Sequence, residues 1–232
     1  MTSLTPTRRR AAWTASSGAA LLTAGAGLGA FVTTQGAGAT GELSLDQLIA
    51  VDREPPLVTV AEGINVGFGS TWAPVLLLLV CAAVAVRNRW AAFVLVAATV
   101  TGWLSVAVGK LLFARQRPPI EQVHALVRET GLDSYPSGHT AFAAALLAGI
   151  VLALRASGRS TRWAWVLGIP SVVLVAVSRL YLGAHYLGDV IGSLLFAGGS
   201  VLVLTGILAM LVTRGSTRPG PAWPARAAAR ER

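Results

Sequence analysis

SRLYLGAHYLGD, residues 178–189, sets an arginine, a histidine and a carboxylate within twelve residues of a chain in which 12% of residues are charged. Charge is costly beside apolar segments, so such a cluster needs a reason to exist. His185 and Asp189 stand four apart; on a helix they would share a face, where the carboxylate holds the imidazole in one tautomer. Arg179, six residues before His185, carries a planar fork of donors that matches two phosphate oxygens. Two readings stand side by side. One is an anion site beside a nucleophilic histidine; the other is an Arg and a His at a membrane edge reaching toward headgroups, with Asp189 as a helix-start residue.

The composition places the stretch in a bilayer. Of 232 residues, 54% are hydrophobic, and the mean hydropathy is +0.64, too apolar for a soluble domain of this size. The formal charge of +9 does not point to nucleic acid, because the basic residues are scattered among apolar runs without stacking aromatics. The one cysteine, Cys81, lies in an apolar run and supports neither a disulfide framework nor a Cys-based metal site.

The expected fold is all-α, a polytopic membrane protein with six transmembrane helices and both termini cytoplasmic. The expected spans are Trp13 to Thr33, Thr71 to Val86, Trp90 to Phe113, Ser137 to Leu154, Trp163 to Val177 with a kink at Pro170, and roughly Leu187 to Val212. The first is rich in Gly and Ala, so it suits close packing; its rival reading is a signal peptide cleaved at Ala37-Gly38-Ala39. The expected organisation is a basic N-terminal tail over 1–10, one membrane domain over 11–213 and a basic Pro/Ala-rich tail over 214–232. In the acidic connection from Gly41 to Ser70, Leu43, Leu45, Leu48 and Ile49 suggest a short interfacial helix.

Six alternating spans gather Arg8 to Arg10, Arg87, Arg89, Arg155, Arg159, Arg162 and five tail arginines on one side, thirteen basic residues with one acid. The other side holds six basic and nine acidic residues. Counting positive charge puts the first side in the cytoplasm, so the 114–136 and 178–189 loops face outward.

Two further polar groups lie at outward span ends. KLLFARQRP, residues 110–118, spaces Lys110 and Arg117 two helical turns apart, with Pro118 as the stop; one phosphate would reach both, although interfacial anchoring is the plainer role, and it is the one Arg115 fits. PSGH, residues 136–139, precedes an apolar run. Ser137 is a natural cap there, Gly138 lets an anion approach the backbone amides, and His139 is placed to protonate a leaving oxygen. His124 reads as an ordinary loop residue, and Glu121 and Asp133 as solvated loop charges. No carboxylate cluster suited to a divalent ion stands out.

Together the three stretches resemble the type 2 phosphatidic acid phosphatase superfamily, whose pattern is Lys, six residues, Arg-Pro; Pro-Ser-Gly-His; then Ser-Arg, five residues, His, three residues, Asp. Each motif alone is weak, but all three occur here complete and in order. The resemblance implies a metal-independent hydrolase without cofactor in which His185 attacks phosphorus and becomes a phosphohistidine, Asp189 orients it, and His139 serves as acid and then base. Lys110, Arg117, Ser137, Gly138 and Arg179 would hold the phosphate oxygens. The implied substrates are lipid phosphates or polyprenyl diphosphates drawn from the bilayer. Phosphatidic acid and phosphatidylglycerophosphate are alternatives, as are transfer of the phosphoryl group to an alcohol, a soluble phosphate substrate, or an inactive scaffold.

Overall fold

The computed structural model describes residues 6–129 and 133–215. Its helices, in chain order, are α1 (Pro6–Ala39), α2 (Glu42–Val51), α3 (Pro55–Gly67), α4 (Trp72–Ala85), α5 (Arg89–Phe113), α6 (Ile120–Val123), α7 (Gly138–Ala156), α8 (Arg162–Tyr181) and α9 (Leu187–Gly215). Among the described residues there is no strand, only an isolated antiparallel bridge between Gln116 and Asp133. The all-α expectation holds.

Five of these helices are long and apolar enough to cross a membrane, and six spans are reached only if α3 and α4, bent by 71° at their junction, form one broken crossing. The second expected span is thereby revised. Alone, α4 has 14 residues and rises only about 21 Å, short of the ~30 Å hydrocarbon layer. Pro55 and Pro56 begin α3, where proline is tolerated because its missing N–H has no helical partner anyway. Pro170 lies inside α8, which continues through it.

The molecule is inverted relative to a soluble protein. Leu78, Leu79, Phe93, Leu111, Leu167 and Val212 are exposed, whereas Thr99, Thr140, Ser178, Arg179, His185, Asp189 and Ser193 are buried. That is the distribution expected when lipid is the solvent. The small helix α2 repeats it: Glu42 and Asp46 face the protein while Leu48 points out. A short helix therefore forms where one was expected, but its inward face is the acidic one.

The longest helix contact is α1 against α9, followed by α5 against α7 and α9. Small residues make the first possible. A Cβ at Gly18 would stand 2.6 Å from the carbonyl oxygen of Gly199, so the two backbones touch where the side chains vanish. The Gly/Ala-rich first span packs as its composition suggests. It starts earlier than expected, however: Arg8 to Arg10 lie in the first turns of α1 instead of a tail. At its far end Gly36, with φ 76°, breaks the helical path, a backbone setting that glycine alone adopts without strain. Residues 1–5 and 216–232, most of the two expected tails, lie outside the described residues.

Candidate active site

The sequence motifs meet at one end of the bundle, where the last turns of α5 and α8, the first turns of α7 and α9, and the loops between them converge. Arg179 closes α8 and is fully buried. His185 follows in the 182–186 turn, and Asp189 sits in the first turn of α9. The two do not share a helical face, as their spacing suggested, because α9 begins only at Leu187. They meet nonetheless, with His185 Nδ1 3.5 Å from Asp189 Oδ2. The reason is local: Asp189 Oδ2 also accepts from the backbone N–H of Tyr186 at 2.9 Å, the reach-back of a third-position carboxylate to the residue that opens its helix. That bond folds the turn so that the preceding imidazole lies against the same oxygen.

Lys110 and Arg117 are likewise joined by a route other than the expected one. α5 ends at Phe113, and Ala114 turns the chain with φ 42°, so Pro118 is not the stop and the two cations share no helix face. Both converge on Asp133 instead: Lys110 Nζ donates to its carbonyl at 2.5 Å and lies 3.5 Å from its carboxylate, and Arg117 Nη2 donates to the same carbonyl at 3.2 Å. Asp133 is therefore a half-buried partner of Lys110, not a solvated loop charge. Glu121 is exposed, as is His124, whose carbonyl accepts from Arg53.

Arg117 Nη1 donates to the Ala184 carbonyl at 2.9 Å and lies 3.2 Å from His185 Nε2. A guanidinium has only donors, so Nε2 must face it with its lone pair and the ring proton must sit on Nδ1, toward Asp189. This is the tautomer a nucleophilic histidine needs. Burial pushes His185 down to about 4, against the pull of Asp189, so the ring is neutral at ordinary pH.

Ser137 occupies the position before α7, but its side chain makes no capping bond. Its hydroxyl accepts from Thr140 at 3.3 Å, its carbonyl accepts from Ser193 at 2.8 Å, and its N–H donates to the Asp189 carbonyl at 3.2 Å. These bonds fasten the start of α7 to α9. Gly138 opens α7, and a Cβ there would meet no heavy atom within 4 Å, so the amides of this helix end can be approached closely. In the first turn, His139 Nε2 lies 3.1 Å from the Asn65 carbonyl.

Four residues outside the sequence-based set complete the site. Asn65, on α3, also receives Arg179 Nη1 on Oδ1 at 2.5 Å, so it steadies two elements at once. Glu129 is ion-paired with Arg179 Nη2. Burial alone would raise its carboxyl, but the Arg179 guanidinium beside it, helped by Arg117, holds it below the usual range. A cleft of about 510 Å³ lined by Arg117, Glu129 and Ala184 leads to it. Arg179 Nε, though buried, has no hydrogen-bond partner among the described residues. The last two are Ser134, whose hydroxyl donates to Asp189 Oδ2, and Arg115, which is no interfacial anchor: it is 4% exposed and ion-paired with Asp189 and Glu42. Only the nine-to-six excess of acids on that side hinted that a basic residue would be drawn inward.

The arrangement offers an imidazole, a second imidazole, three cations and a helix start at one end of the bundle, the equipment for in-line phosphoryl transfer. Comparison with known proteins agrees in kind. Residues 90–212 match the family model described as PAP2 superfamily, a range that contains all eight sequence-based site residues. A protein of Sulfolobus acidocaldarius named undecaprenyl-diphosphatase is 33% identical over 122 residues, 52% of this chain and 55% of that protein. The chain thus spans about half the length of the curated relative it matches. The crystal structure of the first transmembrane PAP2 type phosphatidylglycerolphosphate phosphatase from Bacillus subtilis is similar with a TM-score of 0.67 over 87% of this chain and 98% of that one, at 24% identity, a likeness of fold.

Proposed function

The chain belongs to the PAP2 superfamily, and from that premise we propose that it is a membrane lipid phosphatase that works through a phosphohistidine on His185, without a metal, at the extracytoplasmic face. The observation that carries the reading is the placing of the His185 ring, with Nδ1 3.5 Å from Asp189 and Nε2 3.2 Å from Arg117, which favours the tautomer with its proton on Nδ1. Nε2 attacks phosphorus as the bond to the lipid oxygen breaks, and His139 gives that oxygen its proton. Water, deprotonated by His139, then cleaves the P–N bond and releases inorganic phosphate. Lys110, Arg117 and Arg179, with Ser137 and the amides at Gly138, hold the phosphate oxygens and neutralise charge that other phosphatases leave to a metal ion.

The proposed face follows from charge. Arg87, Arg89, Arg155, Arg159 and Arg162 lie at the helix ends opposite the site, and the stretch of α5 from Arg89 to Lys110 rises about 32 Å, one hydrocarbon thickness. Trp90 and Trp163, both exposed, flank these arginines as interfacial anchors do. An apolar cleft of about 400 Å³ between α7 and α8 reaches Ala143, one turn from His139, and suits a hydrocarbon chain. An outward site and a relative named undecaprenyl-diphosphatase favour a polyprenyl diphosphate over phosphatidic acid or phosphatidylglycerophosphate.

Purified protein with EDTA, offered these three lipids, should release phosphate and be inhibited by vanadate, which adopts the five-coordinate geometry. His185→Ala should lose both turnover and the acid-labile phosphoenzyme. His139→Ala should keep proportionally more activity on the diphosphate, whose leaving group needs a proton least. Turnover of His185→Ala near the parental rate, or activity that vanishes with EDTA and returns with Mg²⁺, overturns the scheme. Formation of a phosphorylated alcohol that depends on an added alcohol acceptor, at the expense of free phosphate, would mark a phosphotransferase.

A further inference from the structure

Arg115 belongs to none of the three motifs, yet both its terminal nitrogens are committed: Nη1 donates to Asp189 Oδ1 at 2.6 Å and Nη2 to Glu42 Oε2 at 2.5 Å. Its guanidinium carbon stands 4.5 Å over the ring of Tyr186, the residue after the nucleophile. Glu42 is equally engaged. Oε2 also accepts from Thr40 at 2.8 Å, and Oε1 accepts from the backbone N–H of Gly188 at 2.6 Å, inside the first turn of α9. Asp189 thus has its two oxygens divided: Oδ1 goes to Arg115, while Oδ2 takes Ser134, the Tyr186 N–H and His185. A carboxylate held on one side only can swing about its Cβ–Cγ bond; fixed on both, it keeps one oxygen on the imidazole N–H.

We infer that Glu42 and Arg115 are positioning residues of this site: a brace from α2 through the 114–119 connection that fixes the plane of Asp189 and, through it, the ring of His185. The inference deepens the proposed function and rests on His185 as nucleophile. The brace acts at one remove from the phosphate, because both Arg115 forks end on carboxylates. It also ties the catalytic turn to α2, an element outside the region matched by the family.

The test uses the full chain in detergent with Arg115→Met, Arg115→Lys and Glu42→Gln, the last of which keeps an oxygen for the Gly188 N–H. Four quantities are read: kcat, KM on a short-chain polyprenyl diphosphate, the inhibition constant of orthovanadate, and the downfield Nδ1–H resonance of His185 in ¹⁵N-histidine-labelled protein. With three histidines in the chain, single His→Ala variants assign that resonance. Arg115→Met should lower kcat about 10- to 100-fold, as loss of an outer partner does for oriented histidines at metal sites. Arg115→Lys and Glu42→Gln should lose less, with KM and the vanadate constant within about threefold of the parent throughout. Added guanidinium should restore part of the kcat of Arg115→Met. The His185 resonance should broaden away in Arg115→Met.

A kcat of Arg115→Met within about threefold of the parent overturns the inference, as does a rise in KM and the vanadate constant that matches the fall in kcat, which would make Arg115 a phosphate ligand. Should Arg115→Met fail to fold, Arg115→Lys and Glu42→Gln are judged by the same criteria. A parent inactive on every lipid phosphate defeats the proposed function instead, and the resonance then decides: retained in Arg115→Met, or in Glu42→Gln and Arg115→Lys if that variant is unfolded, it refutes the brace.

Discussion

Replacing Asp189 by asparagine removes one charge and also forces a choice of orientation, because the amide has one oxygen where the carboxylate has two. Three donors converge on Oδ2, from Ser134, the Tyr186 backbone and His185, and one on Oδ1, from Arg115. The amide oxygen therefore takes the Oδ2 side, and its NH₂ is turned on the Arg115 guanidinium, donor against donor. A hydrogen bond to a charged group contributes about 1.5–3 kcal/mol, and breaking a buried pair costs about 3–5. Arg115 keeps Glu42, so a loss near 2–3 kcal/mol is expected, or about 5–10 °C in Tm for a chain of this size. Turnover behaves differently. Since the imidazole retains an acceptor on Nδ1–H, the wrong-tautomer penalty of about four orders of magnitude is largely avoided, and a fall of about two orders is expected. The assay pairs melting, followed by intrinsic tryptophan fluorescence, with phosphate release. Arg115→Met removes the opposed donor but also leaves Glu42 without its cation, so the two substitutions are compared as a cycle: Asp189→Asn should lower Tm less in the Arg115→Met background than in the parent, and the double variant should remain as inactive. A melting point for Asp189→Asn within about 1 °C of the parent, or a loss in the Arg115→Met background as large as that in the parent, refutes the reasoning.

Glu129 is ion-paired with Arg179 Nη2, so it competes with any phosphate that needs the same nitrogen. Glu129→Gln, which pairs more weakly with a guanidinium, should lower KM and the vanadate inhibition constant by about three- to tenfold; a higher KM would show that Glu129 helps substrate bind. Asp46 is buried with neither carboxylate oxygen hydrogen-bonded among the described residues, and burial, then Asp189 and Glu42, push its carboxyl up to about 7. A carboxyl raised above its unfolded value contributes its full stabilisation only below that unfolded value and loses it progressively as pH rises to about 7. The buried neutral His185, depressed to about 4, acts in the opposite sense, its contribution fading as pH falls below about 6.5. The difference in Tm between Asp46→Asn and the parent cancels the histidine contribution, so Asp46→Asn should gain on the parent as pH rises from about 5 to about 7.5 and should melt higher than the parent at the alkaline end. Parallel slopes for the two proteins would mean that Asp46 is already ionised in the fold.

The sequence by itself determined the class of molecule, the ends of most spans and three motifs whose residues the fold brings to one end of the bundle. Those features are written locally: lengths of apolar chain, the asymmetry of arginines between loops, and three motifs whose residue types suit a phosphate. What it did not determine was how the groups are brought together. Lys110 and Arg117 were expected on one helical face and meet instead through the carbonyl of Asp133, because a left-handed residue at Ala114 ends α5 before Arg117. His185 and Asp189 meet across a turn closed by the Tyr186 N–H, not along a helix. Arg115, Glu42, Asn65 and Glu129 were invisible for a common reason. Each acquires its role from a partner far away in the chain, Arg115 from Glu42 and Asp189, 73 and 74 residues distant, and Asn65 from Arg179, 114 residues distant. A buried charge must find its counter-charge in three dimensions, and the identity of that partner is decided only when α2, α3 and the loop before α7 are folded against the ends of α8 and α9.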